Sequence, residues 1–489
     1  MKTKLSIICL SACLSCSLTG CNDWLDVTPQ AQVSADKIFS TPEGYESVLY
    51  GIYISMTEGD AYGQNQTYGL MDVLAQYYTV HTNQSHALYQ ASIYNYTNGD
   101  IRDRIDAMWL NGYNTIANCN ILLEHLAGQS PDYFTRDHYR LLKGEALAIR
   151  AYVHFDLLRA FALNYLDYPD AMGIPYADSF DRKIHPQLKT REVLARILDD
   201  LKEAEGLLKD IDPCFDENFK DPGYHYGQPR DNGDIFESYR AYRMNYFAVT
   251  GMLARVHDFM GQKEESYQYA KAIVKAVDEG AFTFTDEADL SADLKNRDVV
   301  MQNELLFALD GIDVKQLYYQ ADAGTNGDFS LLDVESLYPD VDDFRHYCVG
   351  ESSNSGNTIS YKYYKADNTT SYAGKIPMIR LSEMFFIAAK AVYETDQEEA
   401  VGYLKTLRKM RGASQVVNGN SYDAFLAELT TEARREFVGE GQMFYWYKRH
   451  NLPVQRQGAE IVLTPEKACL PMPANEVEFG DRMEDYLNH

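Results

Sequence analysis

The sequence predicts an all-α protein of paired helices, interrupted by long irregular segments and preceded by an apolar leader. Three observations carry this. Apolar residues recur at helical spacing through most of the 489 residues. Two helix pairs repeat the same residue classes 134 positions apart. Over 211–236 and 283–375 the helical period fades into Gly, Asn, Asp and Tyr.

The chain opens with Lys2 and Lys4, an apolar stretch from Leu5 to Leu18, and Leu18-Thr19-Gly20-Cys21. This is the three-part layout of a secretory signal over 1–20, with the cut before Cys21. The apolar run is well short of the roughly 20 residues that span a bilayer. A cysteine after Leu-Thr-Gly supplies the thiol that a lipoprotein system acylates, so Cys21 is expected to be the lipidated N-terminus. One acyl chain binds marginally and reversibly, whereas two or more hold a protein on its membrane. The expectation is a palmitate-type lipoprotein held on its membrane by the lipid.

Removing 1–20 takes Lys2 and Lys4 from the 45 basic residues, leaving 43 against 72 acidic ones, a net charge near −29. Such a surface repels nucleic acid, whose binding rests on phosphate neutralisation by Lys and Arg. The 45% hydrophobic content is ample for a core. Of the 8 cysteines, Cys119, Cys214, Cys348 and Cys469 remain in the body at wide spacing, with no metal-ligand pattern. They read as buried thiols, with two disulfides as the other reading outside the cytoplasm.

Helical stretches are expected near 42–57, 101–127, 190–210, 240–260, 263–279, 380–394, 396–411 and 422–440. Ile149, Val153, Leu157 and Phe161 recur every fourth residue, which predicts an amphipathic core helix with Arg150 and Arg159 on its other sides. Leu253-Ala254, Glu264-Glu265, Tyr269 and Lys271 return as Ile387-Ala388, Glu398-Glu399, Tyr403 and Lys405. Small residues at Ala254 and Ala388 let a partner helix approach closely, which is the packing logic of tetratricopeptide-like helical hairpins.

The irregular segments hold many of the 38 tyrosines, as at Tyr77-Tyr78, Tyr318-Tyr319 and Tyr361-Lys362-Tyr363-Tyr364. Tyrosine offers an apolar face and a hydroxyl that stays wet, a combination that stacks a sugar ring while polar neighbours bond its hydroxyls. Tyr77, Tyr78, Tyr318, Tyr319, Tyr363 and Tyr364 are therefore the expected ligand platforms, with His81 and Asn83 as hydrogen-bonding neighbours. Residues 221–230 are the next candidate. Packing into helix seams is the competing role for any one of these rings. Asp231-Asn232-Gly233-Asp234 carries oxygens suited to calcium but reads better as a solvated turn, so neither metal nor cofactor is expected.

In motifs spread from end to end, the chain resembles the SusD/RagB-like outer-membrane lipoproteins. Trp24-Leu25-Asp26-Val27-Thr28-Pro29 is similar to the family's opening segment, and Trp109, Tyr113, Ile116, Ala117 and Asn118 to its next helix. Glu145-Ala146-Leu147-Ala148-Ile149-Arg150-Ala151-Tyr152 resembles its alanine-arginine helix. Ile379-Arg380-Leu381-Ser382-Glu383-Met384, the run Glu432 to Tyr447, and Leu470-Pro471-Met472-Pro473 with Glu476 are similar to its later motifs. Ala433 stands where many relatives carry arginine, and the usual Asn-Pro ending is not evident, which marks a divergent branch. The resemblance implies a cell-surface nutrient-binding subunit over a SusC-like TonB-dependent transporter. It also implies a division into 21–282 and 283–489, the latter with the loop-rich insertion 283–375. Arg150, Arg380 and Glu383 belong to the motifs, yet on core helices such groups read as structural ion pairs.

No G-x-S-x-G, H-E-x-x-H, P-loop or G-x-G-x-x-G pattern is present; Gly439-x-Gly441 lacks a third glycine and sits in a stretch of helical period. The expected function is glycan capture without catalysis. Two alternatives stay open: a peptide or glycopeptide binder, favouring charged pockets, and an α-helical glycoside hydrolase, needing opposed carboxylates roughly 5 to 10 Å apart.

Overall fold

A computed structural model describes residues 37–79, 83–216, 233–311, 314–315, 317–318, 329–353, 355–364, 374–456 and 458–483. Cys21 and the leader, the Trp24–Pro29 segment, His81, Tyr319 and residues 221–230 lie outside the described residues. The chain divides into two compact units, Met1–Tyr45 and Glu46–His489. In the first, Phe39 and Tyr45 meet edge to face at 4.8 Å.

The ten longest helices are α1 (Pro42–Met56), α2 (Gly99–Ala127), α3 (His138–Phe161), α4 (Thr190–Leu208), α5 (Tyr246–Phe259), α6 (Lys263–Asp278), α7 (Leu381–Val392), α8 (Gln397–Met410), α9 (Tyr422–Glu436) and α10 (Gln442–Arg449). From α2 to α8 each helix packs against the next, so successive hairpins bury one another's apolar faces. Local chemistry sets the boundaries. The Asn98 side chain accepts from the N–H groups of Asp100 and Ile101 to start α2, and Asp396 accepts from Glu399 N–H at 2.9 Å to start α8. Asn245 caps α5 through Ala248 N–H at 3.0 Å, which is why that helix begins at Tyr246 and not near 240.

The repeated hairpins are α5–α6 and α7–α8. Ala254 and Ala388 are fully buried at equivalent places, as the small-residue logic requires. Tyr269 stacks on His257 at 5.6 Å and Tyr403 meets Phe385 edge-on at 6.0 Å, both half-buried.

Helix α3 departs from its amphipathic reading because it is buried on nearly every side. Its polar residues are tolerated by pairing. Arg150 grips Asp200 with two bonds of 2.7 Å, His154 Nε2 accepts from Ala177 N–H at 3.0 Å, and Arg159 pairs with Asp156. Helix α9 also stops earlier than its pattern. Gly439 and Gly441 take φ of +82° and +70°, making the turn into α10, and a Cβ on Gly441 would lie 2.2 Å from the Gln66 carbonyl oxygen. The N–H groups of both glycines donate to the buried Asp72 carboxylate, at 2.7 and 3.0 Å.

Within 283–375, strand β3 (Leu305–Asp310) pairs antiparallel with β6 (Lys375–Arg380), with Asp310 opposite Lys375. Three further two-stranded ladders join β1 (Met172–Pro175) to β2 (Gln187–Lys189), β4 (Val349–Glu351) to β5 (Thr358–Ser360), and β7 (Val454–Arg456) to β8 (Ala459–Ile461). The fold is thus mostly helical, with strands as local clips.

The motif arginines are structural. Arg380 and Arg411 reach Glu436 at 2.9 and 2.7 Å, joined by Arg345 at 2.9 Å. Burial alone would raise the Glu436 carboxyl, but Arg411, Arg380 and Arg345 hold it well below the usual carboxylate range. Glu383 takes two bonds of 2.6 Å from Arg255. Cys119, Cys214, Cys348 and Cys469 are free and buried; burial pushes the Cys119 thiol up to about 12. Among the described residues no helix is long and apolar enough to cross a membrane.

Candidate functional site

A cleft of about 530 Å³ opens between α1, the segment 235–243 and the adjoining ends of β3 and β6. Helix α1 contributes Tyr50, Tyr53 and Ile54, which share a face through their i, i+3 and i+4 spacing. Tyr239 adopts φ +57°, ψ +37°, a left-handed conformation uncommon for a bulky side chain, and initiates the short 3₁₀ turn Arg240–Tyr242. Tyr239 stands half-exposed in the cleft wall, and Tyr242, at the end of that turn, is buried behind it. On the far side the β3–β6 register brings Lys375 Nζ to 2.7 Å from Asp310 Oδ1 and 4.3 Å above the Tyr242 ring. Ile54 and Ile235 are 59% and 65% exposed at the mouth.

Behind this surface lies a rigid charged floor. Glu145 of α3 accepts from Arg240 Nη1 at 2.6 Å, Arg243 Nε at 2.7 Å and the Tyr53 hydroxyl at 2.6 Å, and Arg240 also forks onto Asp212 at 3.0 and 2.7 Å. Burial pushes Glu145 upward, yet Arg243 and Arg240 outweigh it and keep the carboxyl below its ordinary value. Burial, and then the Glu145 charge, drive the Tyr53 hydroxyl well above its usual range, so it stays a neutral donor. Arg243 lies 5.0 Å from the Tyr50 ring centroid, fixing that ring from beneath. The cleft therefore presents tyrosine and isoleucine surface with one carboxylate–ammonium pair at its edge. Among the described lining residues Asp310 is the single carboxylate.

The tyrosines expected to form platforms are placed elsewhere. Tyr77, Tyr78, Tyr318, Tyr363 and Tyr364 are all buried, Tyr318 and Tyr363 to 1% exposure, and so offer no free ring face. Tyr78, Tyr318 and Tyr363 belong to an aromatic cluster with Tyr68 and Phe329, with centroids 4.9 to 5.2 Å apart at its closest pairs. The Tyr77 hydroxyl donates to the Arg434 carbonyl at 2.7 Å, the Tyr363 hydroxyl donates to that of Gly439 at 3.1 Å, and Tyr364 bonds Ser353. Asn83 is exposed and turns the chain through Ser85 N–H at 3.0 Å. His81 and Tyr319 lie outside the described residues. Of the expected turn Asp231–Asp234, Asp231 and Asn232 lie outside the described residues, and Asp234 Oδ1 accepts from Phe236 N–H at 3.0 Å.

Two family models match the sequence: residues 23–214 match one described as starch-binding, associating with the outer membrane, and residues 312–464 match the SusD family. The chain belongs to the SusD/RagB-like family. Solved structures share this fold. A SusD superfamily protein from Bacteroides thetaiotaomicron VPI-5482 superposes with a TM-score of 0.71 at 21% identity, covering 91% of this chain and 100% of that one. A putative sugar binding protein from Bacteroides vulgatus ATCC 8482 gives 0.70 at 22%, covering 90% and 96%. Surface glycan-binding protein A from Bacteroides fluxus gives 0.62 at 15%, covering 89% and 96%. No curated protein matches in sequence.

Within this SusD/RagB-like chain, Tyr50, Tyr239, Tyr242, Asp310 and Lys375 are the cleft residues that sequence reasoning missed. The Tyr50–Tyr53 spacing on an expected helix was a usable signal. The meeting of Asp310 with Lys375 depends on a strand pairing across 65 residues that no local pattern announces.

Proposed function

We propose that this protein is a cell-surface lipoprotein that captures a glycan in the Tyr50–Tyr239–Tyr242 cleft and passes it to a SusC-like TonB-dependent transporter. In this reading Cys21 carries the lipid, and the body faces outward from the outer membrane. Membership of the SusD/RagB-like family supports it, as do relatives whose names refer to sugar or glycan binding. The observation that carries the glycan assignment is the cleft's composition: tyrosine rings and aliphatic surface beside one Asp310–Lys375 pair. Apolar C–H faces of a pyranose suit the rings, and an adjacent carboxylate and ammonium can accept from and donate to neighbouring hydroxyls. One carboxylate among the described lining residues fits capture better than glycoside hydrolysis, which uses two.

Magnitudes agree with a protein that must release its cargo. One stacked sugar face hides on the order of 100 Å², worth about 2.5 kcal/mol at 25 cal/mol per Å². Two such contacts, from the half-exposed Tyr50 and Tyr239, offset by association costs of at least about 4 kcal/mol, leave micromolar to millimolar binding once hydrogen bonds are added. The test is an array of glycans and peptides probed with the mature protein and with Tyr239→Asn, a replacement that keeps the left-handed backbone and removes the ring. Glycan signal lost in the variant supports the cleft. Peptide-only signal, or glycan signal unchanged in the variant, overturns this reading.

A further inference from the structure

The N-terminus of α3 and the start of the cleft-wall segment bring together groups that glycan capture does not use. His138 is 4% exposed, and its Nδ1 lies 2.9 Å from Oε1 of Glu46 on α1. A carboxylate accepts only, so the proton of a neutral His138 ring sits on Nδ1 and its Nε2 presents a lone pair. That Nε2 makes no hydrogen bond. It points between Asp234 Oδ2 and Glu237 Oε1, 3.4 Å from each, so an acceptor faces two acceptors in a buried site. Something positive belongs between them: a proton or a metal ion.

The spacing discriminates. His138, Asp234 and Glu237 each offer one ligand atom, all within 4.8 Å of one another. Bonds of about 2.0–2.2 Å to a tetrahedral zinc ion set neighbouring ligand atoms about 3.3–3.6 Å apart, which matches the two nitrogen–oxygen separations. Orientation matches too, because a metal-bound histidine commonly donates its other N–H to a carboxylate, here Glu46. Calcium requires six to eight oxygens at longer distances, so an imidazole with two carboxylates selects a first-row divalent ion. Arg136 is the resident competitor: its Nη1 lies 2.9 Å from Glu237 Oε1 and 3.2 Å from Asp234 Oδ2. It is 48% exposed in its side chain and has solvent to swing into, whereas the imidazole has none.

We propose that His138, Asp234 and Glu237 form a zinc site with Glu46 as the orienting carboxylate. The fourth position is left to water. Two carboxylates and a neutral imidazole balance the ion's charge and relieve the facing lone pairs. Bound zinc ties α3 to the segment whose next residues, Ile235, Ser238 and Tyr239, line the cleft.

The test uses tag-free mature protein stripped with a chelator and titrated with zinc chloride against a chromogenic competitor, with melting followed in parallel. One zinc per chain and a higher Tm are expected. His138→Gln, folded by circular dichroism, loses the binding. Glu46→Ala weakens it by roughly 10- to 100-fold. Arg136→Ala, which removes the competing cation, retains or tightens it. Absence of stoichiometric zinc in the folded wild type overturns the site. So does equal binding by wild type and His138→Gln, or calcium binding as tightly as zinc. None of these readouts involves a glycan, so failure here leaves the capture reading intact.

Discussion

Two groups of tyrosines divide the work of this molecule. Tyr68, Tyr78, Tyr318 and Tyr363 close on one another around Phe329, with every ring buried. Tyr50 and Tyr239 stand half-exposed around an open cleft, with Tyr242 buried in its wall. Both groups sit beside charge, yet differently. Tyr363 leans on the stretch of chain where Lys362 bonds Glu440 internally, whereas the cleft wall at Tyr242 is covered by Lys375, whose partner Asp310 is exposed. The same residue type serves as packing where its face meets other rings and as a platform where its face meets water. Adjacent tyrosines in a loop therefore say little about which they are, and doublets such as Tyr77-Tyr78 are fixed by the chain that folds over them.

The largest effect expected from this contrast falls on the sealed group. Tyr363→Ala should cost about 3–5 kcal/mol, as for other large core aromatics cut to alanine, and strand the Gly439 carbonyl. Tyr363→Phe, which loses one hydrogen bond and keeps the ring, should cost only about 1 kcal/mol. Denaturant melts read both; a Tyr363→Ala protein as stable as wild type erases the distinction between the groups.

The complementary effect is on binding. Tyr239→Asn or Tyr50→Ala should each remove one stacking face, worth about 2.5 kcal/mol, or roughly 50- to 100-fold in Kd. Stability should change by less than about 1 kcal/mol because these rings are half-exposed. Calorimetry with the ligand found by the array decides it. Weakened binding alongside a collapse in Tm would place these tyrosines with the sealed group after all.

A smaller effect tests the helical frame that holds both groups. Ala254→Leu and Ala388→Leu should overpack their hairpins at a cost of about 1–3 kcal/mol each, since both methyl groups are fully buried. The hairpins were legible because helical spacing and small residues at a contact are local properties of the sequence. Asn245, Asp396 and Ser421 cap helix starts, a signal that the apolar period alone does not carry and that would have moved the start of α5 from near 240 to Tyr246. The extra length assigned to α9 came from apolar residues at 437 and 438 that carry the period past the last helical turn, into glycines needing positive φ. The all-round burial of α3 was hidden by its polar residues, whose partners Asp200, Arg240 and Arg243 lie 50 to 98 positions away. The cleft was hidden for the same reason: its three walls come from α1, the 3₁₀ turn and two strand ends, and only tertiary pairing puts them together.

The smallest effect concerns protons and separates the interior from the cleft once more. His154 is buried against Tyr176, with ring centroids 4.0 Å apart, its Nδ1 facing the Arg150 carbonyl at 2.9 Å. Burial, despite that carbonyl, lowers its pKa to about 3. An unfolded histidine takes a proton below about 6.5, so between these values the unfolded chain binds more protons and stability falls as pH drops. At pH 5.5 the contribution lost is about 1.4 kcal/mol relative to neutral pH. His450, also held well below its ordinary value by burial and by Lys390 and Arg449, adds in the same direction, while Glu46, Asp234 and Glu237 raise His138 against its burial and oppose it. Comparing wild type with His154→Gln isolates one group. The stability gap between them at pH 7.5 should narrow by about 1.4 kcal/mol at pH 5.5, because only the wild type pays this proton penalty. A gap that stays constant means the imidazole is protonated where it sits and α3 is wetter than its packing indicates. Affinity in the cleft, whose described lining residues include no histidine, should not follow the same pH curve.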